Sequence, residues 1–169
     1  MGFLRHALAI IILPATAIIL IPRWLCSGCS FVPPPITFVA GALIAFVIGA
    51  ALFVSTLYLF ATAGRGTLAP WDPPARLVVR GPYRLVRNPM ISGVLLIIVA
   101  EALYFRSASI GVWAAAFFLI NAIYLPLVEE PGLERRFGEE YLAYKREVPR
   151  LIPSLRSLRR EASRRANST

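Results

Sequence analysis

Residues 36–63 read ITFVAGALIAFVIGAALFVSTLYLFATA, 28 positions without a charged side chain. About 20 apolar residues in a helix cross roughly 30 Å of hydrocarbon. This stretch is therefore long enough to span a bilayer with tilt. Within it Gly41, Ala45 and Gly49 fall four apart, on one helix face. Small residues at that spacing let helix backbones approach closely in lipid, so the stripe is read as packing.

Working outward, three more uncharged stretches appear: His6 to Pro22, Pro89 to Ala100 with a continuation past Glu101 to Phe105, and Ser107 to Val128. The last fits a span directly. The first and third are short and must borrow flanking residues or sit in locally thinned bilayer. Only Arg106 separates the third from the fourth, which predicts a tight helical hairpin. The expected fold class is all-α, an integral membrane bundle of about four transmembrane helices. A long cytoplasmic loop precedes the third helix and an amphipathic helix follows the fourth. Residues 1–63 hold two spans, 64–153 a core of loop, hairpin and amphipathic helix, and 154–169 a basic tail expected to be disordered.

Composition agrees. The chain of 169 residues is 57% hydrophobic, with a mean hydropathy of +0.67, which excludes an ordinary water-soluble domain or a disordered chain. The net charge of +9 lies between the apolar stretches, as basic membrane flanks do, so no nucleic-acid partner is expected. With four crossings, every one of the 18 Lys and Arg except Arg23 and Arg106 falls on one side. The positive-inside rule then puts both termini and the 64–88 loop in the cytoplasm, with a bacterial plasma membrane as the expected location. The first apolar run is read as a retained span, because no small-x-small cleavage site follows it.

His6, Cys26 and Cys29 cannot fill a four-ligand zinc site, and no metal is expected. Cys26-Ser27-Gly28-Cys29 lies in the short non-cytoplasmic loop, where a structural disulfide is favoured over a redox couple. Glu101, inside the third stretch, is expected to pair with Arg106 or to snorkel, and Asn121 to hydrogen-bond between helices.

The 64–88 connection is stiffened by Pro70, Pro73, Pro74 and Pro82, which favours a fixed shape. Gly64-Arg65-Gly66 is a very weak phosphate-loop fragment. Asn88-Pro89 is more telling: Asn is a preferred N-cap and Pro the preferred first helical residue. The third helix should start there, its free N–H groups and positive dipole end ready for an anion, with Arg84 and Arg87 just upstream. On the pattern alone, a capped helix with snorkelling arginines is as good a reading as a ligand site. Glu129-Glu130 ends the fourth span and should meet a compensating cation, Arg84 or Arg87; alternatively one Glu holds ribose hydroxyls or an ammonium. Pro131-Gly132 is expected to break the chain. A new helix from Leu133 to Val148 follows, with Leu133, Phe137, Tyr141, Tyr144 and Val148 on one apolar stripe that lies at the interface or roofs the bundle. The tail from Leu155 to Thr169 carries five arginines against Glu161, which suits anionic lipid.

Three blocks in order, Gly81-Pro82-Tyr83-Arg84-Leu85-Val86-Arg87-Asn88-Pro89, Glu129-Glu130, and Phe137 to Pro153, resemble the isoprenylcysteine carboxyl methyltransferase family and its phospholipid methyltransferase relatives. The resemblance covers about residues 75–153 and owes nothing to the first two spans. It implies an integral membrane enzyme that uses S-adenosylmethionine at the cytoplasmic end of the bundle, on a lipid or lipidated substrate entering from the bilayer. It further implies cofactor contacts from Leu77, Val78, Tyr83, Pro89 and Glu129, joined on geometry by Asn88. Arg84 and Arg87 are the candidates for a cofactor or substrate carboxylate. Methyl transfer from a sulfonium needs alignment and exclusion of water more than a general base, so no catalytic triad is expected. Asn88, Ile91, Ala75 and Leu125 stand where family members often carry His, Tyr, His and Arg; the last change points away from a prenylcysteine substrate. The alternatives are an NADPH-dependent reductase of sterol-reductase-like fold and a non-enzymatic membrane protein with a decayed pocket.

Overall fold

A computed structural model of the chain describes residues 13–27, 32–63, 77 and 79–154. The helices are α1 (Leu13–Leu25), α2 (Ile36–Ala63), α3 (Pro89–Tyr104), α4 (Ala108–Tyr124) and α5 (Glu130–Glu147). A 3-10 turn, Gly81–Arg84, precedes α3, and there is no strand among the described residues. By length and composition α2, and α4 with its continuation, are able to cross a membrane; α1 and α3 are shorter. α2 begins and ends where its uncharged stretch does.

α2 and α3 run antiparallel and touch backbone to backbone. A Cβ added at Gly49 would stand 2.8 Å from the Gly93 carbonyl oxygen, and one at Gly93 the same 2.8 Å from that of Gly49. Further along, Gly41 faces Leu103. The small-residue stripe is packing, as expected, and its partner is Gly93. α4 folds back on α3, joining Ile110 and Ala114 to Val94, Ile98 and the α1 residue Ala17 in one core.

The α3–α4 hairpin is as tight as the lone Arg106 predicts. Ser107 N–H donates to Ala102 C=O at 3.1 Å and Arg106 N–H to Leu103 C=O at 3.3 Å, the paired bonds of a Schellman motif. Arg106 holds the left-handed position (φ 49°) that glycine usually takes, and Ser107 Oγ accepts from Ile110 N–H to cap α4. Arg106 does not pair with Glu101: its guanidinium lies over the Phe38 ring, 5.7 Å from the centroid, at the end of α2 that the hairpin reaches. Asn121 also departs from expectation, because its Nδ2 donates to Phe117 C=O one turn back in its own helix, at 2.8 Å. Cys26 is disulfide-bonded, in line with the structural reading; Cys29 lies outside the described residues.

Proline placement explains two widened turns. Thr16–Leu20 is π-helical, with Ile21 N–H bonded to Thr16 C=O. The N–H that would serve Ala17 in that register belongs to Pro22, which has none. Trp113 of α4 supplies the missing donor, its Nε1 2.9 Å from Ala17 O, and so ties α1 to α4. The second π turn, Leu125–Glu129, contains Pro126, ends two residues before Pro131 and carries α4 without a break into α5. Pro131-Gly132 therefore does not interrupt the chain: the wider turn absorbs the missing N–H, and Pro131 sits near the start of the next helical segment, where none is needed. The break falls instead at Gly138 (φ 51°, ψ −129°), a backbone conformation open to glycine. Glu129 and Glu130 thus lie within a continuous helix, and the expected opposition to a helix dipole at its C-terminus does not arise.

Large apolar side chains cover the outside, among them Leu43, Ile44, Phe46 and Val47 of α2 and Leu119, Ile120 and Ile123 of α4. A contiguous apolar exterior of this extent suits hydrocarbon rather than water.

Candidate functional site

The 3-10 turn packs below the end of α2, where a Cβ at Gly81 would meet Leu59 Cδ1 at 3.3 Å. From there Leu85–Asn88 leads into α3. Asn88 is the N-cap residue, as its sequence position predicts, but its side chain makes no capping hydrogen bond. The backbone is held from elsewhere. Arg87 N–H donates to Pro149 C=O at 2.8 Å and Asn88 N–H to Arg150 C=O at 3.0 Å. Ser92 Oγ donates to Leu151 C=O at 2.6 Å. The segment beyond α5 thus lies against the start of α3.

α5 roofs this end of the molecule. Its stripe is turned inward, with Tyr141, Tyr144 and Val148 buried and Leu133, Phe137, Leu77 and Val79 packed on them. Tyr144 O–H donates to the Tyr83 carbonyl at 2.7 Å, fixing the 3-10 turn to the roof. Of the two outcomes open to the stripe, roof and interface, packing selects the roof.

The acidic pair divides its work. Glu130, 2% exposed, has Oε1 3.1 Å from Arg87 Nη2 and 2.6 Å from Arg150 Nε, and Oε2 3.1 Å from Lys145 Nζ. Burial alone would raise its pKa, but the bonds from Arg150 and Lys145 and the charge of Arg87 hold it below the ordinary carboxylate value. Glu130 is where the expected compensation by Arg87 occurs. Glu129, half-buried, has no hydrogen-bond or ion-pair partner among the described residues. Burial, and after it the neighbouring charge of Glu130, push its carboxyl up to about 7. Its field is felt at Tyr83, whose hydroxyl is raised by burial, then by Tyr144, then by Glu129.

Arg87 is the other unusual group. Its side chain is 8% exposed, and while Nη2 meets Glu130, Nε and Nη1 are buried without a hydrogen-bond partner. Leaving buried donors unmatched costs about 1–3 kcal/mol each. A buried cation with spare donors and a carboxyl with spare acceptors therefore flank one ion cluster, an arrangement able to hold a ligand that carries both an anionic group and hydroxyl or ammonium donors.

The other expected site residues are distributed unevenly. Tyr83, Arg84, Asn88 and Pro89 share the segment that meets the acidic pair; Pro89 is fully buried. Leu77 packs on the roof cluster. Val78, like Ala75, the Gly64-Arg65-Gly66 fragment and the basic tail from 155 onward, lies outside the described residues. Leu125 is fully buried. Sequence reasoning missed Glu130 as the ion centre, together with Ser92, Lys145 and Arg150. Glu, Lys and Arg in the C-terminal block were visible, but nothing in their spacing names a common partner.

The model of the phospholipid methyltransferase family matches residues 36–140. The match takes in α2, beyond the stretch that motif reading had covered, and stops within α5. No curated protein and no solved structure matches the chain. With most of its length under that match, from the long apolar helix through the Tyr83–Pro89 segment to Glu129-Glu130, the chain belongs to the phospholipid methyltransferase family.

Proposed function

We propose that this protein is a membrane methyltransferase that uses S-adenosylmethionine, bound between the Tyr83–Pro89 segment and Glu129, to methylate a lipophilic substrate drawn from the bilayer. One observation carries the reading. Two segments far apart in sequence meet through Arg87 and Glu130 at 3.1 Å, and each keeps unused polar atoms at the junction. The residues present suit the cofactor: Arg87 offers Nε and Nη1 to its carboxylate, and Glu129 offers acceptors to ribose hydroxyls or the ammonium. Tyr83, Asn88, Pro89, Leu77 and Val78 complete the proposed pocket.

When bound, the cofactor supplies a methyl group on a positively charged sulfur. The protein's share is placement. Glu129 and Arg87 hold opposite ends of a zwitterionic ligand, the Tyr141–Tyr144 roof excludes water, and the apolar exterior admits a substrate from the hydrocarbon side. No residue has to act as general base. In this reading α1 and α3 also cross, tilted or in thinned bilayer, both termini face the cytoplasm, and the basic tail binds anionic lipid.

Purified protein in lipid nanodiscs, titrated in parallel with S-adenosylhomocysteine and NADPH, tests the proposal. Tight binding of the first alone supports it; tight binding of NADPH alone selects the reductase. Transfer of labelled methyl groups into membrane lipid, lost in Glu129→Ala, separates an enzyme from a decayed scaffold. Equal incorporation by both proteins would refute the assignment of Glu129.

A further inference from the structure

Glu130 makes more ionic contacts than any other described carboxylate, yet the cofactor reading gives it no contact with the ligand. Its three cations come from three segments: Arg87 ahead of α3, Lys145 near the end of α5, and Arg150 beyond α5. Lys145 has a second anion in Glu134, whereas no other ion pair of Arg87 or Arg150 occurs among the described residues. Alongside these contacts run the backbone bonds from Arg87 to Pro149 and from Asn88 to Arg150, and the Ser92 bond to Leu151. Those bonds are few, and they persist only while the Pro149–Leu151 segment stays in place.

We propose that Glu130 is a positioning residue: its carboxylate clamps the Pro149–Leu151 segment onto the start of α3 and so sets where Arg87 and Tyr83 stand relative to Glu129. The cofactor part of this inference rests on the function proposed above. The chemistry follows from what a lone buried carboxylate does. Removing it leaves Arg87 and Arg150 close together without a counter-charge, and repulsion then separates the two segments they belong to. Glu129, one residue away at the end of the π turn, keeps its own place in the helix. The lost precision therefore falls on the Tyr83–Pro89 side.

The test uses the full chain in nanodiscs and the variant Glu130→Gln. Hydrogen exchange of the amides of Arg87 and Asn88, which donate to Pro149 and Arg150, is expected to speed up more than tenfold. Exchange at the buried α3 residue Ile98 stays as in the parent and shows that the bundle is intact. Affinity for S-adenosylhomocysteine is expected to fall about tenfold and kcat to fall with it, while KM for the lipid substrate moves little. Glu130→Asp, which keeps the charge, is expected to restore exchange protection to within threefold. Unchanged exchange in Glu130→Gln overturns the clamp whatever the binding result. Fast exchange with unaltered affinity and kcat overturns the positioning role. If the parent protein does not bind S-adenosylhomocysteine, the cofactor reading and the positioning role fall together, and the exchange experiment still decides the clamp. Should Glu130→Gln not fold, Arg150→Gln removes one partly exposed arm and is expected to speed exchange at Asn88 about threefold; no change there overturns the proposal.

Discussion

Replacing Glu129 with Gln removes a charge from a place where the fold gives it no protein partner. In the parent, burial and the charge of Glu130 raise the carboxyl to about 7, so it is half ionised at neutral pH. If the ionised form is what accepts hydrogen bonds from the cofactor, affinity is full well above pH 7 and lost as pH falls through it. Between pH 8 and pH 6 the ionised fraction falls from about 0.9 to about 0.1, so affinity should fall about tenfold. Binding near pH 7 should release about half a proton, measurable by calorimetry in buffers of different ionisation enthalpy. Gln keeps the shape and loses the charge. A hydrogen bond to a charged acceptor contributes about 1.5–3 kcal/mol, so the variant should bind S-adenosylhomocysteine about 10- to 100-fold more weakly at pH 8, with a flat pH profile. Stability should move the other way. A carboxyl whose folded pKa is raised from 4.5 to about 7 costs stability as pH climbs through that window, about 3 kcal/mol in full by pH 8. Glu129→Gln should therefore be harder to unfold than the parent at pH 8 and little different at pH 4.5. A Gln variant that binds as tightly as the parent at pH 8, or a parent whose binding is flat from pH 6 to 8, refutes the reasoning.

Other expectations follow from particular contacts. Gly93→Ala places a methyl 2.8 Å from the Gly49 carbonyl and 3.1 Å from Phe53 N, backbone atoms that cannot swing aside, and should cost about 1–3 kcal/mol in denaturant unfolding. Gly111→Ala, where an added Cβ meets nothing within 4 Å, should instead gain up to about 1 kcal/mol in the same assay. Trp113→Phe keeps the ring and deprives Ala17 C=O of its donor, lowering stability by about 1–3 kcal/mol. Tyr144→Phe deletes the bond to the Tyr83 carbonyl; it should cost about 1 kcal/mol and weaken S-adenosylhomocysteine binding, and unchanged affinity would show that the roof does not help set the site.

Much of the architecture was legible in the sequence because its signals are local. An uncharged run sets the extent of α2, Asn88-Pro89 the start of α3, and a lone Arg106 the hairpin. Each depends on helix geometry and solvation within a few residues. Local reading failed where two signals competed. Pro131-Gly132 has the strongest breaker composition in its region, yet a π turn just before it removes the reason to break, and Gly138 kinks the helix instead. Glu101 and Arg106 are close enough in sequence to pair, but the hairpin turn directs Arg106 onto Phe38. Asn121 satisfies itself within its own helix rather than across to another.

The candidate site divides along the same line. The chain's order of residues determined that a membrane-type helical fold would carry a basic, proline-stiffened entry to α3 and an acidic pair after α4, since charge, hydropathy and proline act where they stand. Only the tertiary structure decided that these two places meet, that Glu130 takes Arg87, Lys145 and Arg150, and that Glu129 is left with open acceptors. Adjacent residues on a helix point about 100° apart. Which of two neighbouring glutamates faces a cation therefore depends on how a π turn rotates the helix and on where a distant segment, Pro149–Leu151, comes to rest.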